Sequence, residues 1–414
     1  MTTTFEEKLQ KYASLIVNVG LNVQPDQEVV VRIPIEAAPL ARQLAIEAYQ
    51  AHAKYVHLFY QDEQITLIRF QHAPRDSFDF FPTWYADALT GLAEKGAGFI
   101  SVYATDPDLL KGQDPELIST AQKVAAQHTR RYAELLSKDY APWTVVSAAV
   151  PAWANKVFAH LPEDERVSAL WDTIFEICRV NEPDPVEAWR LHTEELARRS
   201  AYMNEKQYAA LKFTAPGTDL TVGLPEHHLW TGGYGKTPDG VRFTANIPTE
   251  EIFTLPHKDR VDGVVRATLP LNLRGNLIEN FWFRFERGKV VEVHAEKGEE
   301  LLRKLLETDE GAVRLGEVAL VPQSSPIAKT GLLFFNTLYD ENASCHLALG
   351  RAYRTSLQDG EDMSAEAFAA AGGNDSLIHV DFMMGSSDMD IDGVLPDGST
   401  EPIFRQGEWA FEVS

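Results

Sequence analysis

Residues 28–60 read EVVVRIPIEAAPLARQLAIEAYQAHAKYVHLFY, with a short apolar run at each end and a longer segment between them. The runs at 28–34 and 54–60 are rich in valine and aromatic residues, which favour strands. The residues between them, 36–53, have the length and composition of a helix. A strand, a helix and a second strand in this order predict a right-handed βαβ unit with parallel strands.

The same alternation continues on both sides of this unit. Thr4 followed by Glu7 resembles the capping box that begins a helix, and an apolar helical stripe follows it. Strand-like segments recur at 97–105 (AGFISVYAT) and 143–150 (WTVVSAAV). We therefore predict an N-terminal α/β domain, a mostly parallel sheet with helices, over residues 1–205.

The second half of the chain has a different pattern. From about residue 213 it consists of short strand-like segments between Gly and Pro turns, such as TDLTVGL (218–224) and NFWFRFERGKVVEVHAE (280–296). One helix is indicated at 298–310. These features predict an α+β, β-rich C-terminal domain over residues 206–414.

The composition excludes several classes of function. The 414-residue chain carries 38 Lys and Arg against 61 Asp and Glu, a formal net charge of −23 that argues against nucleic-acid or anionic membrane partners. No run approaches the ~20 apolar residues of a membrane span, and residues 1–17 lack the layout of a signal peptide. With only Cys178 and Cys345, the chain has no disulfide framework and no cysteine-based zinc site. We expect a cytoplasmic protein.

Two local motifs suggest other functions. Residues 230–237, WTGGYGKT, end like a phosphate-binding loop but have Trp230 in place of its first glycine. Residues 388–393, DMDIDG, match the start of a calcium-binding EF loop, yet its twelfth position is Ser399 instead of glutamate. We interpret DMDIDG as an acidic surface loop. A nucleotide-dependent enzyme and a non-catalytic metal-binding protein remain alternatives.

Residues 376–393, SLIHVDFMMGSSDMDIDG, place an imidazole and a carboxylate inside an apolar run of strand type. Side chains alternate between the faces of a strand, so His379 and Asp381 project together from one side. Burying such groups costs free energy unless a partner compensates their charge. The pair is either a structural hydrogen bond or one part of a larger polar site.

Three further segments of this half put acids or an imidazole next to apolar residues. Glu250 and Glu251 come directly before an apolar run. Glu317 interrupts a strand-like segment, and His346 follows the polar residues 340–342. Each segment also has a simple structural explanation: a helix first turn for the paired glutamates, a solvent-facing strand edge for Glu317, a core position for His346. Their occurrence together favours a shared site.

Three glutamates, one aspartate and two histidines suit divalent metal ions. Oxygen ligands mixed with imidazole suit Zn, Mn or Co, whereas softer ions would favour thiolates. A carboxylate that bridges two ions about 3.5–4 Å apart is typical of hydrolytic two-metal sites. The residues alone thus predict a site for one or two divalent ions.

Four segments form a series that is more specific than any one of them: NIPTEEIFTLPH (246–257), LGEVALV (315–321), AKTGLLFFNTLYDENASCHLALG (328–350) and HVDFMMGSSDMDIDG (379–393). Together with residues 11–31 and 217–224, they resemble the aminopeptidase T / AmpS / PepS family of metallo-aminopeptidases. The resemblance implies an enzyme that removes the N-terminal residue from peptides with a free N-terminus. It also implies two divalent metal ions (Zn, Co, Mn or Mg) and a homodimer.

The resemblance implies roles for individual residues. The positions that match the family's metal ligands are Glu251, Glu317, Glu341, His346, His379 and Asp381. Glu317 matches the ligand expected to bridge both ions, and Tyr353 matches a tyrosine that stabilises charge in the transition state. Tyr353 and Glu317 are therefore the predicted catalytic residues. The carboxylate that carries the proton to the leaving amine stays open, with Glu251 and Glu317 as candidates.

Overall fold

A computed structural model of the chain describes residues 4–273 and 275–413. Contacts between residues divide the chain into two compact units. Unit 1 contains the residues up to Leu191 together with Tyr234–Pro248, and unit 2 contains His192–Gly233 and the residues from Thr249 onward. The domain division that the sequence predicts, at residues 205/206, stays a prediction.

Unit 1 contains a four-stranded sheet in which all three pairings are parallel. Its strands are β1 (Glu28–Pro34), β2 (Tyr55–Gln61), β3 (Gly98–Val102) and β4 (Trp143–Val146), in the order β2-β1-β3-β4. Strand β1 lies inside the sheet, and Val29, Val30 and Val31 are buried, as expected for an interior strand of a parallel sheet. The βαβ interpretation of residues 28–60 and the α/β fold of this part are confirmed.

Helices connect and flank these strands. They are α1 (Phe5–Leu15), α2 (Ala38–Gln50), α3 (Glu63–His72), α4 (Thr83–Ala93), α5 (Pro115–Ser137), α6 (Pro151–Val157) and α7 (Glu163–Ile177), while α8 (Pro185–Lys206) includes the division point. The capping box predicted for α1 is present, because the Thr4 side chain accepts from the Glu7 N–H and the Glu7 side chain accepts from the Thr4 N–H. A single π-helical turn, Ile16–Gly20, follows α1.

Unit 2 is built from antiparallel sheets. The larger has nine strands: β5 (Ala210–Ala215), β6 (Thr218–Gly223), β11 (Val261–Arg266), β12 (Leu271–Leu273), β13 (Asn276–Glu286), β14 (Lys289–Lys297), β18 (Asp390–Val394), β19 (Thr400–Arg405) and β20 (Glu408–Trp409). The smaller has five, β7 (Thr231–Gly232), β10 (Ile252–Thr254), β15 (Leu315–Leu320), β16 (His346–Gly350) and β17 (His379–Met383), in the order β17-β16-β15-β10-β7. The β-rich prediction for this half is confirmed.

Short helices complete unit 2. They are α9 (Glu299–Leu306), α10 (Pro326–Thr330), α11 (Thr337–Asp340) and α12 (Ala365–Ala370), with 3₁₀ turns at Glu341–Ala343 and Arg354–Ser356. The helix indicated at 298–310 corresponds to α9. Across the described residues, no helix combines the length and apolar character needed to cross a membrane.

The two sheets of unit 2 share one apolar core. Phe281 and Phe283 of the nine-stranded sheet pack against Phe382 of the five-stranded sheet, with ring centroids 6.0 and 5.2 Å apart. All three side chains are almost fully buried. This core covers one face of the five-stranded sheet. Polar residues of these strands therefore project from the opposite face.

One local prediction is wrong. Residues 390–394 of the acidic segment form strand β18, paired with β5 and β19, instead of a surface loop. Ile391 is buried in the core, Asp390 accepts a hydrogen bond from the Gln406 N–H, and Asp392 pairs with Arg405. The carboxylates are compensated on the outer face, which allows the strand to pair despite its charge.

Candidate metal centre

The predicted site residues lie on one face of the five-stranded sheet. Along β15, Val318 and Leu320 point into the core, so the alternating residue Glu317 points to the opposite face. Strand register then sets the neighbours: Glu317 lies opposite Ala348, and Ala348 lies opposite Asp381. Three neighbouring strands, β15, β16 and β17, therefore bring together residues that are far apart in sequence.

Small residues leave room on this face. Ala348 separates Glu317 from Asp381, Ala319 lies opposite His346, and Gly350 lies opposite His379. Gly316, next to Glu317, is required for close packing, because a Cβ there would lie 2.3 Å from the Arg351 carbonyl oxygen. Methyl groups and glycines between the polar side chains allow the carboxylates and imidazoles to converge.

The first cluster, which we call the inner group, consists of Glu251, Glu317 and His346. His346 Nε2 lies 3.2 Å from Glu251 Oε2 and 3.4 Å from Glu317 Oε1. All three residues are buried, and one ligand atom from each lies within 4.8 Å of the others. Glu251 precedes β10, so the predicted alternative of a helix first turn at residues 249–251 is wrong.

The second cluster, the outer group, consists of Glu317, His379 and Asp381. His379 Nε2 lies 3.4 Å from Asp381 Oδ1 and 3.7 Å from Glu317 Oε2. His379 and Asp381 are only partly buried, and the three ligand atoms again lie within 4.8 Å of one another. The two oxygens of Glu317 thus face different groups, Oε1 the inner one and Oε2 the outer one.

Both imidazoles are oriented by backbone carbonyls. His346 Nδ1 lies 3.2 Å from the Ser344 carbonyl oxygen, and His379 Nδ1 lies 2.7 Å from the Arg351 carbonyl oxygen. A carbonyl only accepts, so each Nδ1 carries the hydrogen and each Nε2 points at the carboxylates. Metal-binding histidines characteristically use their second nitrogen in this way.

The charge distribution also suits a cation. Glu251 Oε2 and Asp381 Oδ1 are buried and receive no hydrogen bond from the described residues. Burial raises the pKa of Glu317, more than its contact with His346 lowers it. Burial opposes protonation of His346, yet the nearby Glu251 and Glu317 raise its pKa well above the ordinary value. Concentrated, incompletely bonded carboxylates are the donor set that a hard divalent ion stabilises.

His379 and Asp381 of the outer group also shift each other's pKa. Burial lowers the pKa of His379, but Asp381 and Glu317 outweigh that effect and raise it to about 9. Burial would raise the pKa of Asp381, and the neighbouring His379 lowers it below the ordinary value. His379 and Asp381 therefore each stabilise the charged form of the other.

Two predicted site residues lie beside the groups and outside them. Glu341 is half-buried, and burial together with the charges of Glu251 and Asp381 raises its pKa well above the ordinary value. The Tyr353 ring is 42% exposed and lies 4.9 Å from the His379 ring and 6.0 Å from the Phe253 ring. Burial and the charges of Glu317 and Asp381 raise the pKa of Tyr353, so its hydroxyl keeps its proton.

Sequence reasoning missed two residues around Glu251. Asn342 accepts a hydrogen bond from the Glu250 N–H at 2.7 Å, and His192 Nε2 lies 2.8 Å from the Thr249 carbonyl oxygen. Asn342 is next to Glu341 in the quoted family segment, so proximity was its only signal. His192 lies on α8 and carries no sequence signal.

The alternative motifs do not form the sites they resemble. Gly235–Lys236 is a two-residue strand, β8, paired with β9 (Arg242–Phe243), and no helix follows it in this described segment. A phosphate-binding loop needs a helix N-terminus directly after the lysine. The acidic segment at 388–393 enters strand β18 and cannot wrap around calcium as an EF loop does.

Known proteins resemble the chain over almost its full length. The family model described as Thermophilic metalloprotease (M29) matches residues 5–409. "Aminopeptidase 2" of Geobacillus stearothermophilus is 51% identical, covering 99% of both chains, and "Aminopeptidase AmpS" of Bacillus subtilis is 48% identical, covering 99% of this chain and 100% of that protein. The solved structure "Wild-type AmpT from Thermus thermophilus" superposes with a TM-score of 0.94 at 46% identity, covering 99% of this chain and 100% of that one.

Proposed function

The chain belongs to the M29 family of thermophilic metalloproteases and is a metal-dependent aminopeptidase; on that premise, we propose that it works with two divalent ions held by the inner and outer groups. The ligands are Glu251, Glu317 and His346 for one ion, and Glu317, His379 and Asp381 for the other. Glu317 would be shared by the two ions, since one of its carboxylate oxygens faces each group. Glu341 is proposed as a further metal ligand. Burial and the neighbouring acids raise its pKa, and a bound cation would favour its ionised form.

One observation carries this proposal. The two carboxylate oxygens of Glu317 face different imidazoles, Oε1 that of His346 and Oε2 that of His379. A carboxylate with one oxygen in each of two ligand groups has the arrangement of a bridging ligand. A single ion would leave one histidine–carboxylate group without a cation.

The chain's own residues have defined tasks in peptide hydrolysis. Bound divalent ions lower the pKa of water from about 15.7 towards 7 and polarise a carbonyl group. The carboxylates of Glu251, Glu317 and Asp381 hold the ions, and the Ser344 and Arg351 carbonyls keep His346 and His379 in the tautomer that binds them. The proton released by the water has to reach the leaving amine, and a carboxylate of the cluster carries it.

Tyr353 acts on the substrate. Burial and the surrounding acids raise the pKa of its hydroxyl, which therefore keeps its proton and can donate a hydrogen bond. In our proposal it donates to the oxyanion that forms when the scissile carbonyl is attacked. The partly exposed ring beside His379 keeps the hydroxyl near the outer group.

The substrates are peptides with a free N-terminus. A free α-amino group is cationic or can bind a metal ion, and the excess of carboxylates in the site attracts it. The net charge of −23 argues against nucleic acid as a partner. The metal is Zn, Co, Mn or Mg, because mixed oxygen and imidazole ligands accept each of them.

We also propose a cytoplasmic homodimer. The homodimer is implied by the family resemblance, and two buried cysteines without a disulfide framework suit a reducing compartment. Sedimentation analysis of the purified protein tests the dimer, and cell fractionation tests the location.

The decisive experiment is hydrolysis of leucine p-nitroanilide by chelator-treated protein, before and after addition of Co²⁺ or Zn²⁺. N-acetylated leucine p-nitroanilide is assayed in parallel. We expect activity to return with about two ions per chain and only on the substrate with a free amine. Full activity with one ion per chain would contradict the bridging role of Glu317.

A further inference from the structure

The peptide group between Thr249 and Glu250 is held by two side chains. It precedes β10, whose pairing with β15 begins at Ile252. Its carbonyl oxygen accepts a hydrogen bond from His192 Nε2 at 2.8 Å, and its N–H donates to Asn342 Oδ1 at 2.7 Å. Both polar groups of one peptide are therefore bonded, as a buried peptide requires.

Asn342 is itself anchored on two further sides. It is completely buried, and its Nδ2 donates to the Leu338 carbonyl of α11 at 3.1 Å. Its own carbonyl accepts a hydrogen bond from Ser325 Oγ at 2.8 Å, and Ser325 caps α10. The two halves of the amide have different partners, so the side chain has one satisfied orientation.

His192 approaches the same peptide from α8. Since a carbonyl only accepts, His192 Nε2 carries the hydrogen of this bond. The same nitrogen lies 3.5 Å from Glu250 Oε2. Because α8 and the α11 segment are separate elements, the two contacts fix the plane of the peptide from two directions.

The peptide leads directly into a proposed metal ligand. Glu251 is the next residue, and its Oε2 lies 3.2 Å from His346 Nε2 in the inner group. Rotation of the preceding peptide plane would move this carboxylate away from Glu317 and His346. Metal sites tolerate displacements of only about 0.5 Å, so the orientation of this peptide limits how well the inner group binds an ion.

We infer that His192 and Asn342 form a clamp on the Thr249–Glu250 peptide that orients Glu251 for metal binding. They are positioning residues, since neither side chain belongs to the inner or outer group. This inference rests on the proposed metal site and adds to it a cause for the geometry of the inner group. Loss of an outer partner of a metal ligand typically weakens metal binding ~10–100-fold.

The test is a Co²⁺ titration of three metal-free proteins: wild type, Asn342→Ala and His192→Ala. Binding is monitored by calorimetry and by the visible absorption of bound Co²⁺. We expect each variant to bind the inner ion ~10–100-fold more weakly with a changed spectrum. The outer ion should bind as in the wild type. At saturating Co²⁺, we expect the KM for leucine p-nitroanilide to be unchanged, because neither side chain belongs to the inner or outer group.

Asn204→Ala is the matched control. Asn204 accepts from the Trp230 N–H at 2.7 Å and donates to the Trp230 carbonyl at 2.9 Å, so it also uses both halves of its amide on the backbone. Its removal should lower the unfolding temperature without changing Co²⁺ affinity. His192→Gln keeps an N–H donor and should recover most of the affinity that His192→Ala loses.

The double variant tests whether both residues act on one peptide. His192→Ala combined with Asn342→Ala should lower the affinity for the inner ion by less than the product of the two single losses. The reason is that the second change acts on a peptide that the first has already released. If Asn342→Ala does not fold, Ser325→Ala takes its place, with a smaller loss expected at the same ion.

Two results separate the inference from the proposed function. A wild type that binds no second Co²⁺ would overturn the two-ion site. A wild type that binds both ions, with variants that match it in affinity and spectrum, would overturn the clamp alone. Equal losses in Asn204→Ala would also overturn the clamp, since a general effect on stability would then explain them.

Discussion

The inner and outer groups use the same ligand types but differ in burial. The side chain of His346 is 1% exposed, whereas that of His379 is 14% exposed. The cause is strand order: β16 lies inside the five-stranded sheet and β17 lies at its edge. Tyr353 lies beside the imidazole of the outer group. On one sheet face, two candidate ligand groups that share Glu317 therefore differ in burial, so the ions proposed for them should differ in how readily they exchange.

Glu317→Gln removes the residue that both groups share and should have the largest effect. The amide keeps the size of the side chain but loses the charge that would bridge the two proposed ions. We expect hydrolysis of leucine p-nitroanilide to fall to background. This loss is well beyond the ~10–100-fold that follows removal of a hydrogen-bond partner of a metal ligand. The protein should still fold, which thermal unfolding checks. Glu47→Gln, at a buried carboxylate of unit 1, is the control; wild-type turnover of Glu317→Gln with full metal would rule out the bridge.

Tyr353→Phe affects the outer side alone. We expect kcat to fall by ~10²–10³, the usual loss for one oxyanion donor, because the hydroxyl is removed and the ring is kept. Metal content, measured by elemental analysis, should not change. Tyr208→Phe is the control, since its hydroxyl bonds Glu401 at 2.9 Å, away from the site. An unchanged kcat would show that Tyr353 only packs against His379.

His346→Ala and His379→Ala separate the two groups. Removing a ligand should weaken the corresponding ion by at least the ~10–100-fold seen for outer partners. In the wild type, we expect a chelator to remove the outer ion faster than the buried inner one. Release of Co²⁺ to the chelator should then have a fast phase from the outer group and a slow phase from the inner group. His379→Ala should abolish the fast phase, and His346→Ala should abolish the slow phase. Identical release kinetics in both variants would contradict the difference between the groups.

Asp388→Ala should have the smallest effect. Asp388 is exposed and precedes β18, outside both groups. Surface substitutions of this kind usually change stability by less than about 0.5 kcal/mol. Activity and metal content should equal those of the wild type, as assay and elemental analysis will show. Loss of metal in this variant would mean that the acidic segment supplies a ligand after all.

Local pattern was enough to predict several features. The βαβ unit at 28–60 and the capping box at Thr4 depend on neighbouring residues, so both were predictable. His379 and Asp381 share a face because they are two residues apart on one strand. Features of this kind follow from the geometry of a single element.

Local pattern failed where distant residues decide. The acidic segment forms β18 because the core accepts Ile391 and because Arg405 and the Gln406 N–H satisfy its carboxylates. Neither partner is visible in the motif itself. His192 had no recognisable signal for the same reason, since it acts on Glu251 through a contact between α8 and the segment before β10.

Sequence pattern was enough to predict the two fold classes, the identity of the polar residues and the shared face of His379 and Asp381. The tertiary structure decided that Glu317 lies between two imidazoles, that one group is more deeply buried, and that two side chains hold the peptide before Glu251. The physical reason is that side-chain alternation is set by each strand's own backbone. Register, strand order and burial are set by pairing with other segments of the chain, about 30 positions away for Glu317 and Ala348 and for Ala348 and Asp381.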